Sequence, residues 1–482
     1  MKKTIAILLL LCILVAAFAS CGDEKVDTTQ TNDSTEDNNL LDSLPKVDMN
    51  EFELGILTYD NEWFDWAEVA MAVDDPDSNV VTQAIFQRNS FIEEHFNCLL
   101  NITTETNIDK TYIENITLSG DTSSGVNIIM YYDKWVVASA NCFRNWHEVD
   151  HIDLSQEYWN PGITQMFNVN NYQIAASGVF SLGMLSRTET VLYNKDMYAS
   201  YYSTSDEYYA SIYDYVFNDE WTLEKLYELG EGVLSSSDDV WDTKDQYGLS
   251  ASKKELYTSL MIGSGIRFVQ QDENGMPKFT LPSDTSAVDK LQKLLELNQD
   301  NQIHYDTSKD PHYANPELFF ESGNTLFGVR VLYDIPTARG LMRSDFGILP
   351  IPKYDSAQKE YYSACFGGDV ACLLKTVADE DLDYIGIIME AMALHSQSYL
   401  IPKYKEDLLK TRYAVDPDSS RMLDIIFSTT FSEMGVTVLE DTVSIYLIKQ
   451  VYVTEQDTIS SELKLMQWSI PGELESLFQN IK

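Results

Sequence analysis

The segment His147-Glu148-Val149-Asp150-His151 is the sharpest concentration of reactive side chains in the chain. On a helix its histidines would stand one turn apart and could hold zinc, with Glu148 as general base. A zinc peptidase needs a third ligand, and the extended pattern fails. Leu154 stands at its glycine position, Glu157 stands at its third histidine, and no glutamate follows Glu157 before Glu189. The competing reading is a surface loop or helix end. Carboxylates are too abundant to single out an acid and nucleophile pair for a glycosidase. Gly178-Val-Phe-Ser181-Leu-Gly183 has one residue too many before the serine for a nucleophile elbow. Gly263-Ser-Gly265 has Phe268 where a dinucleotide loop has its third glycine. Asp238 to Asp245 is acidic, but Trp241 and Thr243 replace oxygen donors of a calcium loop. A solvated acidic turn is the default there, with calcium left open.

Aromatic supply is richer than catalytic supply. The chain has 8 Trp and 29 Tyr. Several fall near the ends of strand-like runs, among them Tyr59, Trp63, Trp66, Tyr131, Trp135, Tyr158, Trp159 and Tyr333. Sugar C–H faces stack on such rings while hydroxyls bond to Asp, Glu, Asn and Arg. For any one ring, packing in the core or on a lobe surface is the favoured reading.

These side chains must be positioned by alternating elements. Phe52 to Tyr59 reads as a buried strand, Val80 to Phe96 as a helix, Cys98 to Ile102 and Val126 to Tyr131 as further strands. This rhythm predicts parallel pairing with helices on the sheet faces. Downstream, Thr222 is placed to cap a helix, and Ser286 to Leu297 is amphipathic. Asp345 to Pro352 reads as a strand closed by prolines; Asp381 to Ser396 and Ser419 to Phe427 read as helices.

The 482 residues carry 33 Lys plus Arg against 76 Asp plus Glu, a net charge of −43. That excludes nucleic acid, whose binders need a basic face, and docking on anionic lipid through protein charge. Lys2 and Lys3 precede an apolar run, Thr4 to Ala17, and then Phe18-Ala19-Ser20-Cys21. This secretory pattern resembles a bacterial lipoprotein signal, with residues 1–20 removed and Cys21 lipidated. Residues 21–47 form a polar run suited to a solvated tether. Only 8 of the acidic residues precede residue 49, so the negative charge belongs to the body. Such a field favours a neutral or amino sugar over a uronate or sugar phosphate. No later stretch approaches the ~20 apolar residues of a membrane helix. Cys98, Cys142, Cys365 and Cys372 remain in the body; buried free thiols are favoured, with a Cys365–Cys372 bridge open.

Glu189-Thr-Val-Leu-Tyr193-Asn194-Lys195-Asp196 is similar to a signature of extracellular solute-binding proteins of carbohydrate ABC transporters, the group that resembles maltose-binding protein. Trp221-Thr-Leu-Glu-Lys-Leu, Phe319-Phe-Glu-Ser-Gly323 and Asp345-Phe-Gly-Ile-Leu-Pro-Ile-Pro resemble further motifs of that family in the same order. Arg88-Asn89, His151-Ile-Asp-Leu and Pro402-Lys-Tyr-Lys resemble a Firmicutes branch of these lipoproteins. Asn324-Thr325-Leu326 departs from the small apolar residue usual after the glycine.

The resemblance implies an α/β, two-lobed periplasmic-binding-protein-like fold of type II, with a ligand cleft between lobes joined by hinge strands. Lobe one would comprise residues 48–172 and 365–445, and lobe two residues 173–364 and 446–482. It implies a membrane-anchored protein on the extracytoplasmic face of the cell envelope. Such a protein captures a sugar or oligosaccharide and delivers it to the permease subunits of an ABC transporter, with no catalytic residue, metal or cofactor. Ligand contacts by position would be Asp60 and Trp63 after the first strand, and Tyr131 and Asp133 after the third. Trp159, Lys254, Tyr257 and Tyr333 complete the set. The alternative is a surface hydrolase, either a zinc peptidase at His147 and His151 or a glycosidase.

Overall fold

The computed structural model describes residues 40–60, 71, 73, 78–118, 124–202, 211–238, 240–298, 302–309, 316–409, 417–479 and 481. The chain divides into a leading unit, Met1–Pro45, and a body, Lys46–Lys482. In the leading unit the described part is one turn, where the Leu44 amide donates to the Leu41 carbonyl at 3.0 Å. The signal segment, Cys21 and most of the tether lie outside the described residues, as does Trp63.

The strands of the body that carry the argument are, in chain order, β1 (Phe52–Tyr59), β2 (Cys98–Glu105), β3 (Ile128–Tyr132), β4 (Glu189–Asn194), β5 (Tyr247–Ala251), β6 (His304–Asp306), β7 (Thr325–Val331), β8 (Phe346–Leu349), β9 (Ser363–Ala364), β10 (Asp369–Leu373) and β11 (Thr430–Phe431). They form two principal sheets. The first has the order β10-β3-β1-β2 and the second the order β6-β5-β7-β4-β8. β1, β2 and β3 are parallel, as the alternating pattern predicts, but β10 pairs with β3 antiparallel. In the second sheet β4 is antiparallel to both β7 and β8. The departure has a topological cause. The chain leaves the first sheet after β3, builds the second, and returns as β10, so its direction is set by the return path and not by a local crossover helix.

Local sequence explains the main helices, α1 (Val80–Phe96), α2 (Leu223–Glu231), α3 (Lys253–Gly263), α4 (Thr285–Asn298), α5 (Leu382–His395), α6 (Pro417–Ser428) and α7 (Ile459–Phe478). α1 begins at Asn79, whose side chain accepts from the amides of Val81 and Thr82, both at 2.9 Å, while Thr82 accepts from the Asn79 amide at 3.1 Å. This reciprocal cap satisfies orphan donors of the first turn. Left-handed Asn97, φ 51°, ends the helix. Thr222 caps α2 through the Lys225 amide, as its position predicts. α1 buries Val81, Ala84, Ile85, Arg88, Ile92 and Phe96, one helical face. Val81, Ala84 and Ile85 share a core with Leu192 and Ile348 of the second sheet and Leu423 and Ile426 of α6. Apolar burial, at ~1.5–3 kcal/mol per enclosed side chain, therefore ties α1 to elements of the second sheet.

Arg88 lies fully inside this packing. Its guanidinium donates to the Phe180 carbonyl at 2.5 Å and the Ser396 hydroxyl at 3.1 Å, and burial pushes its pKa down to about 9. The four body cysteines are buried free thiols. Asp238 and Asp242 accept amides of their own turn, from Val240 at 3.1 Å and Lys244 at 2.7 Å. Among the described residues no helix is long and apolar enough to cross a membrane.

Candidate functional site: a charged junction between the sheets

Two segments connect the sheets beside each other. The outgoing segment bridges Ala176 to Ala371 and Thr188 to Cys365, antiparallel in both cases. The returning segment contains β9, which pairs with β11. Between β9 and β10 stand Gly367 and Gly368. Gly367 has φ +81°, a conformation L side chains rarely adopt. A Cβ on Gly368 would fall 2.6 Å from the Met184 sulfur and 2.9 Å from the Gly183 carbonyl. The two connections therefore touch through backbone at a point where no side chain fits.

Asp133 holds this point. Its carboxylate accepts from the amides of Gly367 (2.9 Å) and Lys134 (2.7 Å), and its own amide donates to the Gly368 carbonyl (2.9 Å). Burial raises its pKa to about 7, although those hydrogen bonds and Arg187 favour the charged form. Asp369, on the far side of the glycines, accepts from the Ser181 hydroxyl at 3.3 Å, and burial raises its pKa to about 6. Glu189 is pushed well above the carboxylate range, first by burial and then by Glu255.

Around this clasp the carboxyl ends of β3, β5 and β7 bring charges from both sheets together, the usual location of ligand contacts in open α/β sheets. Lys134 follows β3, and its Nζ donates to Glu440 Oε2 at 2.8 Å and Asp441 Oδ1 at 3.0 Å. Lys254, at the start of α3 after β5, donates to the other Glu440 oxygen. Tyr132 is half-buried, with its ring edge-on to Trp135 at 5.0 Å. Burial, then Asp133 and Glu440, raise its pKa to about 12, against Arg187 and Lys134. Arg187 and Asp334 are both charged neighbours of Glu189. Paired charges beside half-exposed aromatic rings can bond hydroxyls and stack on apolar ligand faces.

The residues singled out from sequence fall into two groups. Asp133 and Lys254 lie at the junction, and Tyr333 follows Leu332, whose amide donates to the Thr188 carbonyl of the outgoing connection at 3.0 Å. Asp60 follows β1, half-buried, with its carboxylate accepting from the Thr106 hydroxyl. Among the described residues the remaining three are core residues. Tyr131 is fully buried among Trp135, Phe143 and Ser139. Trp159 is fully buried and donates to Glu390 at 2.6 Å. Tyr257 is fully buried and stacks on Tyr452 at 4.0 Å. Tyr132, Lys134, Trp135, Arg187 and Glu440 were not singled out as contacts. Strand alternation is the signal that finds Tyr132, because adjacent residues face opposite sides. No local signal finds Glu440.

The two histidines do not share a helical face. His147 lies on a single turn, Trp146–Glu148, and His151 has φ 69°. His147 Nε2 faces Asn168 at 3.2 Å, and His151 Nε2 faces Asp383 at 2.9 Å. Among the described residues no group of three or more His, Cys, Asp or Glu is arranged to hold a metal.

Two α/β sheets joined by paired connections, with a polar junction at the strand ends, define the two-lobed periplasmic-binding-protein-like fold. Solved structures share it. A sugar transporter protein of Rhizobium etli in an open conformation is similar over 89% of this chain and 100% of its own, with TM-score 0.58 and 13% identity. The cyclic alpha-maltosyl-1,6-maltose binding protein of Arthrobacter globiformis covers 88% of this chain and 100% of its own, at TM-score 0.54 and 13% identity. The ABC substrate-binding protein Lmo0181 of Listeria monocytogenes, in complex with cycloalternan, covers 89% and 99%, at TM-score 0.53 and 11% identity. At these identities the likeness is one of fold. No protein-family model and no curated protein sequence matches the chain.

Proposed function

We propose that this chain is a non-catalytic extracytoplasmic solute-binding protein. It captures a neutral sugar or oligosaccharide between two lobes and passes it to the membrane subunits of an ABC transporter. The observation that carries the reading is the junction itself. Lys134 beyond the first sheet and Lys254 beyond the second converge on Glu440, beside Tyr132 and Trp135. The sugar-binding proteins that share the fold support the ligand class. Asp60, Tyr132, Lys134, Trp135, Arg187, Lys254, Tyr333 and Glu440 are the proposed ligand-facing set. The proposed lobes are residues 48–172 with 365–445, and 173–364 with 446–482. Lipidation at Cys21 would hold the body near the membrane through the polar tether.

A ligand touching both lobes favours closure by its differential contacts. The test is calorimetry and thermal shift against a glycan panel, since a bound ligand raises apparent stability by mass action. Saturable binding of a neutral glycan, without turnover, is the expected result. Tight zinc lost on His147→Ala, together with peptide cleavage, would establish the hydrolase instead. Preferential binding of a polyanionic oligosaccharide at physiological salt would overturn the ligand class.

A further inference from the structure

Between α3 and α4 the chain leaves the second sheet and returns to it. α3 ends against that sheet, where a Cβ on Gly263 would collide with Ile351 just beyond β8. α4 is fixed to the same point, because Lys290 Nζ donates to the Ser264 carbonyl at 2.6 Å. The excursion is a hairpin, Val269–Gln271 antiparallel to Pro277–Phe279. Asp272 shapes its tip by accepting the amides of Asn274 at 2.8 Å and Met276 at 3.0 Å, and Gly275 turns with φ +74°.

Tip and root of this hairpin both rest on the first lobe. At the tip, the Asn170 amide donates to the Gly275 carbonyl at 3.0 Å, and the Gln271 side chain donates to the Asn168 carbonyl at 2.5 Å. Residues 168–173 form a hairpin of their own. It is bound to the first sheet through Tyr172, whose hydroxyl donates to the carbonyl of Phe143, the residue that bridges to Leu374 beyond β10. At the root, Glu433 Oε1 accepts the amides of Phe268 and Val269, both at 2.9 Å, and Oε2 accepts that of Gly435 at 2.5 Å. Glu433 is buried, and its neighbour Ser432 donates to the Gly162 carbonyl at 3.3 Å. A Cβ on Gly435 would collide with Phe268. Arg267 closes the root between the rings of Tyr362 and Phe431, 4.4 Å and 4.0 Å from their centres. Pulling the root away would strip a buried carboxylate of its donors, which costs more than breaking an exposed loop contact.

We propose that residues 266–281 are a strap, which leaves the second lobe, stays fastened to the first and so limits how far the two lobes separate. The strap rests on the two-lobe reading above and adds a third link to the two connections at the junction. Small-angle scattering of the unliganded full mature chain tests it. In Glu433→Gln one acceptor oxygen becomes an amide nitrogen, so the root loses a fastening. The radius of gyration should rise, and it should stay raised at high salt because the contact is buried. A short bismaleimide joining Asn168→Cys to Gln271→Cys in that variant should restore the wild-type radius; the native body thiols are buried. A separate variant with Gly-Gly inserted after Gly265 lengthens the strap, leaves its fastenings intact and should raise the radius too. The insertion decides alone where Glu433→Gln does not fold. Glu440→Gln at the junction, read at low salt, is the reference for lobe motion. A wild-type radius in both strap variants with a raised one in Glu440→Gln overturns the strap alone. A wild-type radius in all three overturns the strap together with the moving lobes on which it rests. A raised radius in Glu433→Gln that the cross-link does not restore reports loosened packing and overturns the strap as well.

Discussion

Lys134 Nζ lies 2.8 Å from Glu440 Oε2, a contact between residues 306 apart in sequence. The first follows β3 of one sheet, and the second shares its carboxylate with Lys254, at the start of the helix that follows β5 of the other. Through Lys254 the shared carboxylate is thus a tie across the junction. Burial works against the charged form of both groups, yet the hydrogen bonds between them prevail. The Lys134 pKa is raised and that of Glu440 is lowered.

Glu440→Gln should loosen this tie. The pairs are partly exposed, so each is worth ~0.5–1 kcal/mol and is screened by salt. Small-angle scattering of unliganded protein should give a larger radius of gyration for the variant at low salt. The difference should shrink as salt is added to the wild type. Identical scattering at low salt would show that the tie does not hold the lobes.

Tyr131 and Tyr132 are adjacent and should behave oppositely. Tyr131→Ala removes a fully buried ring, at ~3–5 kcal/mol of stability by analogy with other large aromatic truncations. Tyr132→Ala removes a half-buried ring. It should leave urea unfolding within ~1 kcal/mol of wild type and weaken sugar binding about tenfold, a loss of ~1.4 kcal/mol. Unchanged affinity in Tyr132→Ala would remove that ring from the site.

The pH dependence of stability should carry the mark of Asp133. Its folded pKa, about 7, is raised above the ordinary value of 3.8. The native state therefore binds the proton more tightly than the unfolded chain. This contribution is full below the unfolded value and is lost as pH rises through the folded one. Asp133→Asn abolishes the titration while keeping an acceptor. The melting temperature of wild type minus variant should therefore be more favourable to wild type at pH 5 than at pH 8. A difference independent of pH would mean that Asp133 does not titrate in this window.

Gly368→Ala tests the backbone contact between the two connections. The added carbon has no room against Met184 and Gly183, and overpacking of this kind costs ~1–3 kcal/mol. Urea midpoints should fall accordingly. A variant as stable as wild type would show that the connections can separate freely.

Much of the local architecture was legible in the sequence. The apolar run marked β1, the periodic residues of Val80 to Phe96 marked a helix, and Thr222 stands where another helix begins. The pairing direction of β10 was not legible, because antiparallel pairing there follows from a return path of more than two hundred residues. The ring that faces the junction was missed by one position, since a one-residue step along a strand exchanges its two faces. Tyr257 and Trp159 carry the residue types of a sugar site, but they pack on Tyr452 and Glu390.

By itself, the sequence determined where elements start and stop, the α/β class, and the sign of the field around the body. These follow from caps, periodicity and charge, which act within a few residues or depend only on composition. Only the tertiary structure decided which side chains meet. Lys134, Lys254 and Glu440 are linked by contacts 306 and 186 residues apart in sequence. Their convergence depends on how two sheets pack around two touching connections, and no local pattern encodes that geometry.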